Sequence, residues 1–470
     1  MPSMRLRPSL QGAISLSAFG GIVLYAAVVH AMCGCFGCMS GGDCTGGFPV
    51  HVLYETPPSG LDQHGEFPNA EFRPDDRWNR TATEGFIGSA RGVPATVTWG
   101  IIDDGTSITG GREGTSPSDL IDMLNRQHGA SRTGLVEDAP WFRFFEDSFN
   151  RISELSGVTY IYEPNDGGAP IVNTGASQAG VPGQYPDVRI GGHFVGSSDT
   201  GNTLAYNYFP DHGDMVIDTD DAAFFNNSFR DYRRLRNTIM HEAGHGLGLS
   251  HVESSNSGQL MEPFIQTGFE GPQIDDILAL HRNYGDVFEK LNGGNDSGRS
   301  PTRIGTFDDD DTWVLGNDGR KSVVERDDAD FVSIDGARDV DFFLFNVDVP
   351  SIVDVTLFQV GRTYNEGRQN QEQSQLVTSQ LNPLELTVLS GVNGSGIITE
   401  AEGEVIARLG KEVSSLELDP GRDYYIRVNG TVDNVQLYEL RLNFAEIPEP
   451  TAVLLLAVAA GCGLTRRRAA

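Results

Sequence analysis

Residues 241–251, HEAGHGLGLSH, constrain this chain more than any other stretch. On an α-helix, residues four apart lie about 40° from each other around the axis, so His241 and His245 aim their imidazoles at one point. Gly244, Gly246 and Gly248 would each cost about 1 kcal/mol against alanine inside a helix, so helix burial alone does not explain them. Neutral imidazole nitrogens suit zinc, and a catalytic zinc takes three protein ligands and keeps one position open. A third ligand on the next helical turn would crowd the first two. The chain must therefore leave the helix sharply, and Gly248 accepts the left-handed backbone that such an exit needs, after which His251 can close the triangle. Glu242, beside the first ligand, is then placed as the general base toward a metal-held water.

The flanking segments predict the elements that would carry this motif. ATVTWGII alternates as a half-buried strand and is closed by the turn DDGT. WFRFFEDSFNRISELSG sets Trp141, Phe145, Phe149 and Ile152 at three- and four-residue steps and stops at Gly157, which predicts an amphipathic helix. VTYIYE, DVRIGGHFVG, LAYNYF and DMVIDTDD follow as strand candidates. A helix from near Phe229, with Leu235 and Ile239 on one face, runs into the motif. A last helix, PQIDDILALHRNYG, has Asp275 and Asp276 in its first turn and Gly285 as its stop. Together they predict an α+β domain over residues 93–288.

At 470 residues the chain is long enough for several folded units. Its 65 acidic against 34 basic residues give a net charge of −31, which repels polyphosphate and argues against a nucleic-acid partner; hard cations such as calcium suit the acidic oxygens. Arg5 and Arg7, an apolar run from Ala13 to Val29 and a small residue at Ala31 read as a signal peptide over residues 1–31, with an uncleaved anchor as the alternative. Cys33, Cys35, Cys38 and Cys44 crowd just after it. Two short disulfides suit an exported chain, and a thiolate capping the active-site metal from a propeptide is the sharper alternative. Residues 32–92, rich in Gly, Pro and charge, read as a propeptide or irregular N-terminal extension.

After NGGNDSGRS the texture changes. DFFLFNVDV, SIVDVTLF, LELTVL, DYYIRVNG and VQLYELRLNF alternate with period two between turns, predicting an all-β sandwich over residues 297–445. The acidic run Asp308–Asp311 is read as a solvated loop, with calcium binding the alternative. In residues 447–470 a PEP triplet precedes fourteen uncharged residues, Thr451–Leu464, and then Arg466, Arg467 and Arg468. That run is shorter than the roughly 20 residues a bilayer span needs, and its basic end would stay on the cytoplasmic side.

HEAGHGLGLSH and QLMEP resemble the metzincin clan of zinc proteases and, within it, the matrixins. The likeness extends from LAYNYFP through GDMVIDTDD to DDILALHRNYG and covers roughly residues 93–288. It implies a metzincin-like twisted mixed sheet plus three helices, and zinc held by His241, His245 and His251. It also implies Glu242 as base, Met261 as an apolar floor below the metal, and LAYNYFP at a sheet edge where a peptide substrate pairs antiparallel. Asp218 and Asp221 stand where matrixins bind calcium, and Asp199 and Asp214 are further candidates. Two ligand places for the family's second, structural zinc hold Tyr206 and Val216 here, which implies its loss; His193 nearby reads as a packed strand residue. The sandwich resembles pre-peptidase C-terminal domains, and the tail resembles bacterial PEP-CTERM signals removed by a sorting protease. These features predict a secreted or envelope-delivered zinc endopeptidase, touching membrane only transiently through its two ends. The alternative is a surface adhesion or matrix-organising protein that uses a protease-like domain without cutting.

Overall fold

Six strands build the first sheet: β1 Val50–Tyr54, β2 Ala95–Ile101, β3 Val158–Tyr162, β4 Val188–His193, β5 Thr203–Tyr208 and β6 Met215–Asp218. Their spatial order is β1-β5-β6-β4-β2-β3, with β6, β4, β2 and β3 parallel, β5 antiparallel to β6 and β1 antiparallel to β5. This computed structural model describes residues 50–54, 74, 76–110, 113–131, 133–172, 179–196, 203–252, 254–255, 258–366, 372–392, 395–406 and 410–447. The expected signal segment, Cys33, Cys35, Cys38, Cys44, Asp199 and the sorting segment from Pro448 onward lie outside them. Among the described residues no helix is long and apolar enough to cross a membrane.

Helices α1 Leu120–His128, α2 Phe142–Leu155, α3 Arg233–Gly246 and α4 Ile274–Tyr284 pack against this sheet. Phe145, Phe149 and Ile152 bury the predicted stripe of α2, and Trp99 of β2 stacks on Phe149 with ring centroids 4.6 Å apart. The motif helix α3 begins at Arg233, later than the pattern near Phe229 predicts. Arg230, Asp231 and Tyr232 all take positive φ (52°, 57° and 58°) and so delay the helical backbone. Arg236, which is buried, holds that turn by donating to the carbonyls of Arg230 and Asp231.

Two expectations change. LAYNYF is not the outermost strand: residues 50–54 pair with it antiparallel, Val50 opposite Tyr208 and Leu53 opposite Ala205. An incoming peptide strand would have to displace them. The folded body also starts before residue 93. Trp78 is fully buried, its indole N–H donates to the Gly246 carbonyl over 2.8 Å, and its backbone N–H donates to the Tyr284 hydroxyl over 3.0 Å.

Past residue 300 the alternating segments form two further sheets. One runs Thr302–Phe307, Val340–Val347 (here β7), Asp423–Gly430, Leu384–Val392 and Ser395–Glu402. The other runs Thr312–Leu315, Gln436–Glu446, Ser351–Gln359, Gly410–Leu418 and Glu404–Ile406, with Val332–Ile334 also on Gln436–Glu446. Their inner faces share one apolar core that includes Phe343, Phe345, Val355, Ile426 and Leu440. Between Ser351–Gln359 and Leu384–Val392 lies a separate antiparallel hairpin, β8 Thr363–Glu366 and β9 Ser374–Val377.

The sandwich does not hang free. Val324, Phe331, Val360, Tyr364, Val435 and Leu437 bury themselves in the core of the first part, the same core that holds Ile277 and Leu280 of α4. Polar ties reinforce the junction: Arg151 of α2 donates to the carbonyls of Glu325 and Asp328, and Gln273 and Val324 exchange hydrogen bonds. His281 is buried between the Leu155 carbonyl and the Ser333 hydroxyl, and burial pushes its pKa down to about 4.

Candidate functional site

The three histidines converge. Nε2 of His251 lies 3.2 Å from Nε2 of His241 and 3.1 Å from Nε2 of His245. The other ring nitrogens are committed: Nδ1 of His241 is 2.7 Å from the Leu260 carbonyl, and Nδ1 of His245 is 2.6 Å from the Leu249 carbonyl. A carbonyl only accepts, so both Nδ1 atoms carry protons and both Nε2 atoms present lone pairs. His251 can donate to at most one of them, which leaves lone pairs opposed at contact distance unless a cation lies between. Tetrahedral zinc ligands at about 2.0–2.1 Å sit about 3.3 Å apart, the spacing these rings adopt. His241 and His245 are fully buried, and burial lowers the His241 pKa to about 4, keeping it neutral and able to ligate.

The helix exit follows a Schellman motif. The Leu249 N–H donates to the Gly244 carbonyl and the Gly248 N–H to the His245 carbonyl, with Gly248 at φ 86°. A Cβ on Gly248 would sit 1.9 Å from the Asp76 carbonyl oxygen. Gly248→Ala is expected to cost at least the about 1–3 kcal/mol of a non-glycine residue held left-handed, read by denaturant titration, and to weaken metal retention by moving His251. Gly244 has a different reason: its absent side chain leaves room for Met261, whose Sδ would lie 2.5 Å from an added Cβ.

Met261 is held from α4. Asp276 accepts from the N–H groups of Leu260 (2.7 Å), Met261 (3.0 Å) and Gln273 (2.8 Å), and burial lifts its pKa to about 6. Sequence reasoning gave Asp276 only a helix-dipole role; its second task, fixing the segment whose Leu260 carbonyl orients His241, depends on contacts across 15 and 16 residues. Glu242 is fully buried, and neither carboxylate oxygen has a hydrogen-bond partner among the described residues. Burial raises its pKa well above the ordinary carboxylate value, as suits a group that must accept a proton.

Residues 191–285 match the matrixin family model. That span contains the three histidines, Glu242 and Met261, and the match points to a metalloprotease of a zinc-dependent family. Human matrix metalloproteinase-15 is 37% identical over 93 residues, a stretch covering 18% of this chain and 14% of that protein's length. Among solved structures, the pre-peptidase C-terminal domain of collagenase from Bacillus anthracis is 15% identical at a TM-score of 0.18, covering 30% of this chain and 94% of that one. A protein from Sulfurospirillum deleyianum is 9% identical at a TM-score of 0.16, covering 25% of this chain and 97% of its own.

Within the matrixin-like span the other candidates separate. Tyr206 and Val216 face each other across β5 and β6 and belong to an apolar cluster with Ile102, Ile108, Ile171 and Tyr208. His193 is buried on β4 with Nε2 3.5 Å from Glu113 Oε1. Asp218 accepts from the N–H groups of Asp220 (2.9 Å) and Gly196 (2.8 Å), so it shapes the turn after β6. Asp221 starts the next short helix, and among the described residues no third His, Cys, Asp or Glu side chain gathers with this pair. Asp214 is buried, accepting from the Arg189 N–H over 2.9 Å, with Oδ2 3.7 Å from His212.

A carboxylate cluster absent from the sequence reading lies where the two parts of the chain meet. Glu289, Asp339 and Asp341 each bring one oxygen within 4.8 Å of the others. Glu289 Oε1, Asp339 Oδ1 and the amide oxygen of the buried Asn295 have no hydrogen-bond partner among the described residues. Asn295 itself adjoins the group, its amide donating to Asp341 over 2.8 Å. Burial, and then mutual repulsion, raises Glu289 to about 10, while Asp339 and Asp341 are also raised. The available signal was Asp341 itself, an acid on the inward face of β7 in register with Phe343 and Phe345.

Proposed function

We propose that this chain is an exported zinc-dependent endopeptidase, with His241, His245 and His251 as metal ligands and Glu242 as general base. The observation that carries this reading is the convergence of three Nε2 atoms, two of them fixed as lone pairs by carbonyl partners. When bound, zinc would lower the pKa of a water toward about 7 and polarise the scissile carbonyl. Glu242 takes the proton from the attacking water onto a carboxylate oxygen and passes it to the departing amine nitrogen as the peptide bond breaks. Its dry surroundings sharpen this role, because an unsolvated carboxylate holds a proton more strongly than an exposed one. Substrate would enter as an extended strand along β5, where β1 now lies, with backbone pairing giving affinity and nearby side chains giving preference.

The N-terminal signal, the four early cysteines and the basic C-terminal tail support export and envelope delivery. For a second metal, Glu289, Asp339, Asp341 and Asn295 form an all-oxygen donor set suited to calcium. Asp218 and Asp221 remain the family's calcium candidates.

The direct test is hydrolysis of an unstructured protein such as casein by the purified exported chain, with metal analysis. Removing zinc with 1,10-phenanthroline should abolish cleavage, and stoichiometric zinc should restore it. Casein left intact by the zinc-loaded chain would favour the adhesion reading; cleavage by a metal-free chain would refute the zinc mechanism.

A further inference from the structure

The β8–β9 hairpin belongs by sequence to the sandwich, yet its contacts lie on the segment between the third histidine and Met261. Asn365 donates through Nδ2 to the Ser255 hydroxyl over 3.1 Å, and the Ser255 N–H donates to Oε1 of Gln373 over 3.2 Å. The hairpin thus grips Ser255 from both strand ends, four residues beyond His251. Tyr364, the neighbour of Asn365 on β8, is 2% exposed and lies in the same buried cluster as Leu260, Met261, Ile274 and Ile277. It is close enough to Asp275 and Asp276 for their charges to act on its phenol.

From there the connections run inward. Asp276 receives the N–H groups of Leu260 and Met261, and the Leu260 carbonyl is the partner of His241 Nδ1. On the other side, Ser254 donates to the buried Glu262 over 2.9 Å, and the Val252 N–H donates to the Met261 carbonyl over 3.0 Å. One hairpin therefore bears on the support of two histidines. Its own geometry is fixed at the base, where Arg362 N–H donates to Thr378 Oγ1 and Thr378 N–H to the Arg362 carbonyl, both over 2.8 Å.

We propose that the β8–β9 hairpin of the sandwich is a positioning element of the metal site, with Tyr364, Asn365 and Gln373 holding the His251–Met261 segment so that the three imidazoles stay convergent. The sandwich is then part of the catalytic apparatus, acting through the metal's supporting shell without touching substrate. Groups hydrogen-bonded directly to a metal ligand change metal affinity or activity by about 10–100-fold when removed, and the hairpin bears on the segment that carries such a group, the Leu260 carbonyl. The ring of Tyr364 supplies the shape under the Met261 segment, and the two amides supply the grip.

This inference rests on the zinc-site reading above, and its test separates the two. In the full chain, zinc affinity is measured by competition with a chromophoric chelator for Tyr364→Ala, Tyr364→Phe and the Asn365→Ala/Gln373→Ala double variant, each checked for folding by circular dichroism. The expected result is a zinc Kd raised at least about 10-fold for Tyr364→Ala and for the double variant, with Tyr364→Phe close to wild type because it keeps the ring. On casein, kcat should fall in parallel while KM stays within about twofold, since the substrate contacts are untouched. If Tyr364→Ala fails to fold, the double variant, which removes the hairpin's grip on Ser255 and leaves the buried Tyr364 in place, decides. Folded variants with wild-type zinc affinity would overturn the proposal. A chain that binds zinc tightly but cuts nothing would sink the protease reading and still let the affinities judge the hairpin.

Discussion

Glu242→Gln should leave zinc stoichiometry and fold unchanged while lowering kcat/KM on an unstructured protein substrate by about 10²–10⁴, the range a general acid–base group supplies. Glutamine keeps the shape of the side chain but cannot take up the proton that attack on the carbonyl releases. The loss should fall on kcat, because the proton moves only on the way to the transition state. A second consequence comes from burial. Glu242 is fully enclosed, and neither oxygen has a partner among the described residues, so exchanging the carboxyl group for a neutral amide of the same shape breaks no hydrogen bond and removes a group that is costly to ionise there. The inactive variant should therefore melt no lower than wild type. Hydrolysis kinetics paired with a thermal melt check both parts, and a variant that keeps near-wild-type kcat would remove Glu242 from the mechanism.

The convergence of the three histidines was legible because its information is local. Spacing within eleven residues fixes His241, His245 and His251, and Gly248 announces the turn that brings the third histidine round. The sandwich strands were equally readable, since period-two alternation survives wherever one face is buried. Partnerships between distant residues were not readable. Nothing in VHVLY at 50–54 says that it will pair with residues 203–208, because many strands could. Trp78 sits in a stretch without periodicity, and only the fold shows its indole reaching Gly246, 168 residues away. Helix α1 left a trace, Leu120, Met123 and Leu124 at helical steps, but nine residues give the pattern too little length to stand out. Asp276 and Asp341 were visible as charges and hidden as anchors. An acid's role depends on which donors or other acids the fold brings to it, and those come from elsewhere in the chain.

The junction carboxylates give the second large expectation. Holding zinc constant, calcium-free protein should melt at progressively lower temperature as pH rises from about 6.5 to about 8, and millimolar calcium should abolish that decline. Burial, as the first cause, lifts Asp286 and Asp335 to about 7 and Glu289 to about 10, all far above their unfolded values. A group whose folded pKa is raised binds protons more tightly in the native state, so its contribution is complete below the unfolded value and drains away as pH climbs through the folded one. Across this window the unfolded chain has already released these protons, while the native state keeps that of Glu289 throughout and loses those of Asp286 and Asp335 only near pH 7, so each step up in pH still favours the unfolded chain. Neighbouring groups set the limits: His281, lowered to about 4, confines its opposite effect to acid below about pH 6.5, and Lys290, lowered to about 8, begins to act at the upper end. A calcium ion at one hundred times its Kd would add about 2.7 kcal/mol and reverse the penalty by giving the carboxylates a common counter-charge. The double variant Asp339→Asn/Asp341→Asn should melt higher than wild type without calcium at pH 8 and gain little from adding it. A wild-type melting temperature that ignores calcium throughout this range would mean that the cluster keeps its protons and holds no ion, and the two parts of the chain would then owe their contact to the shared apolar core and to the hydrogen bonds of Arg151, Gln273 and His281.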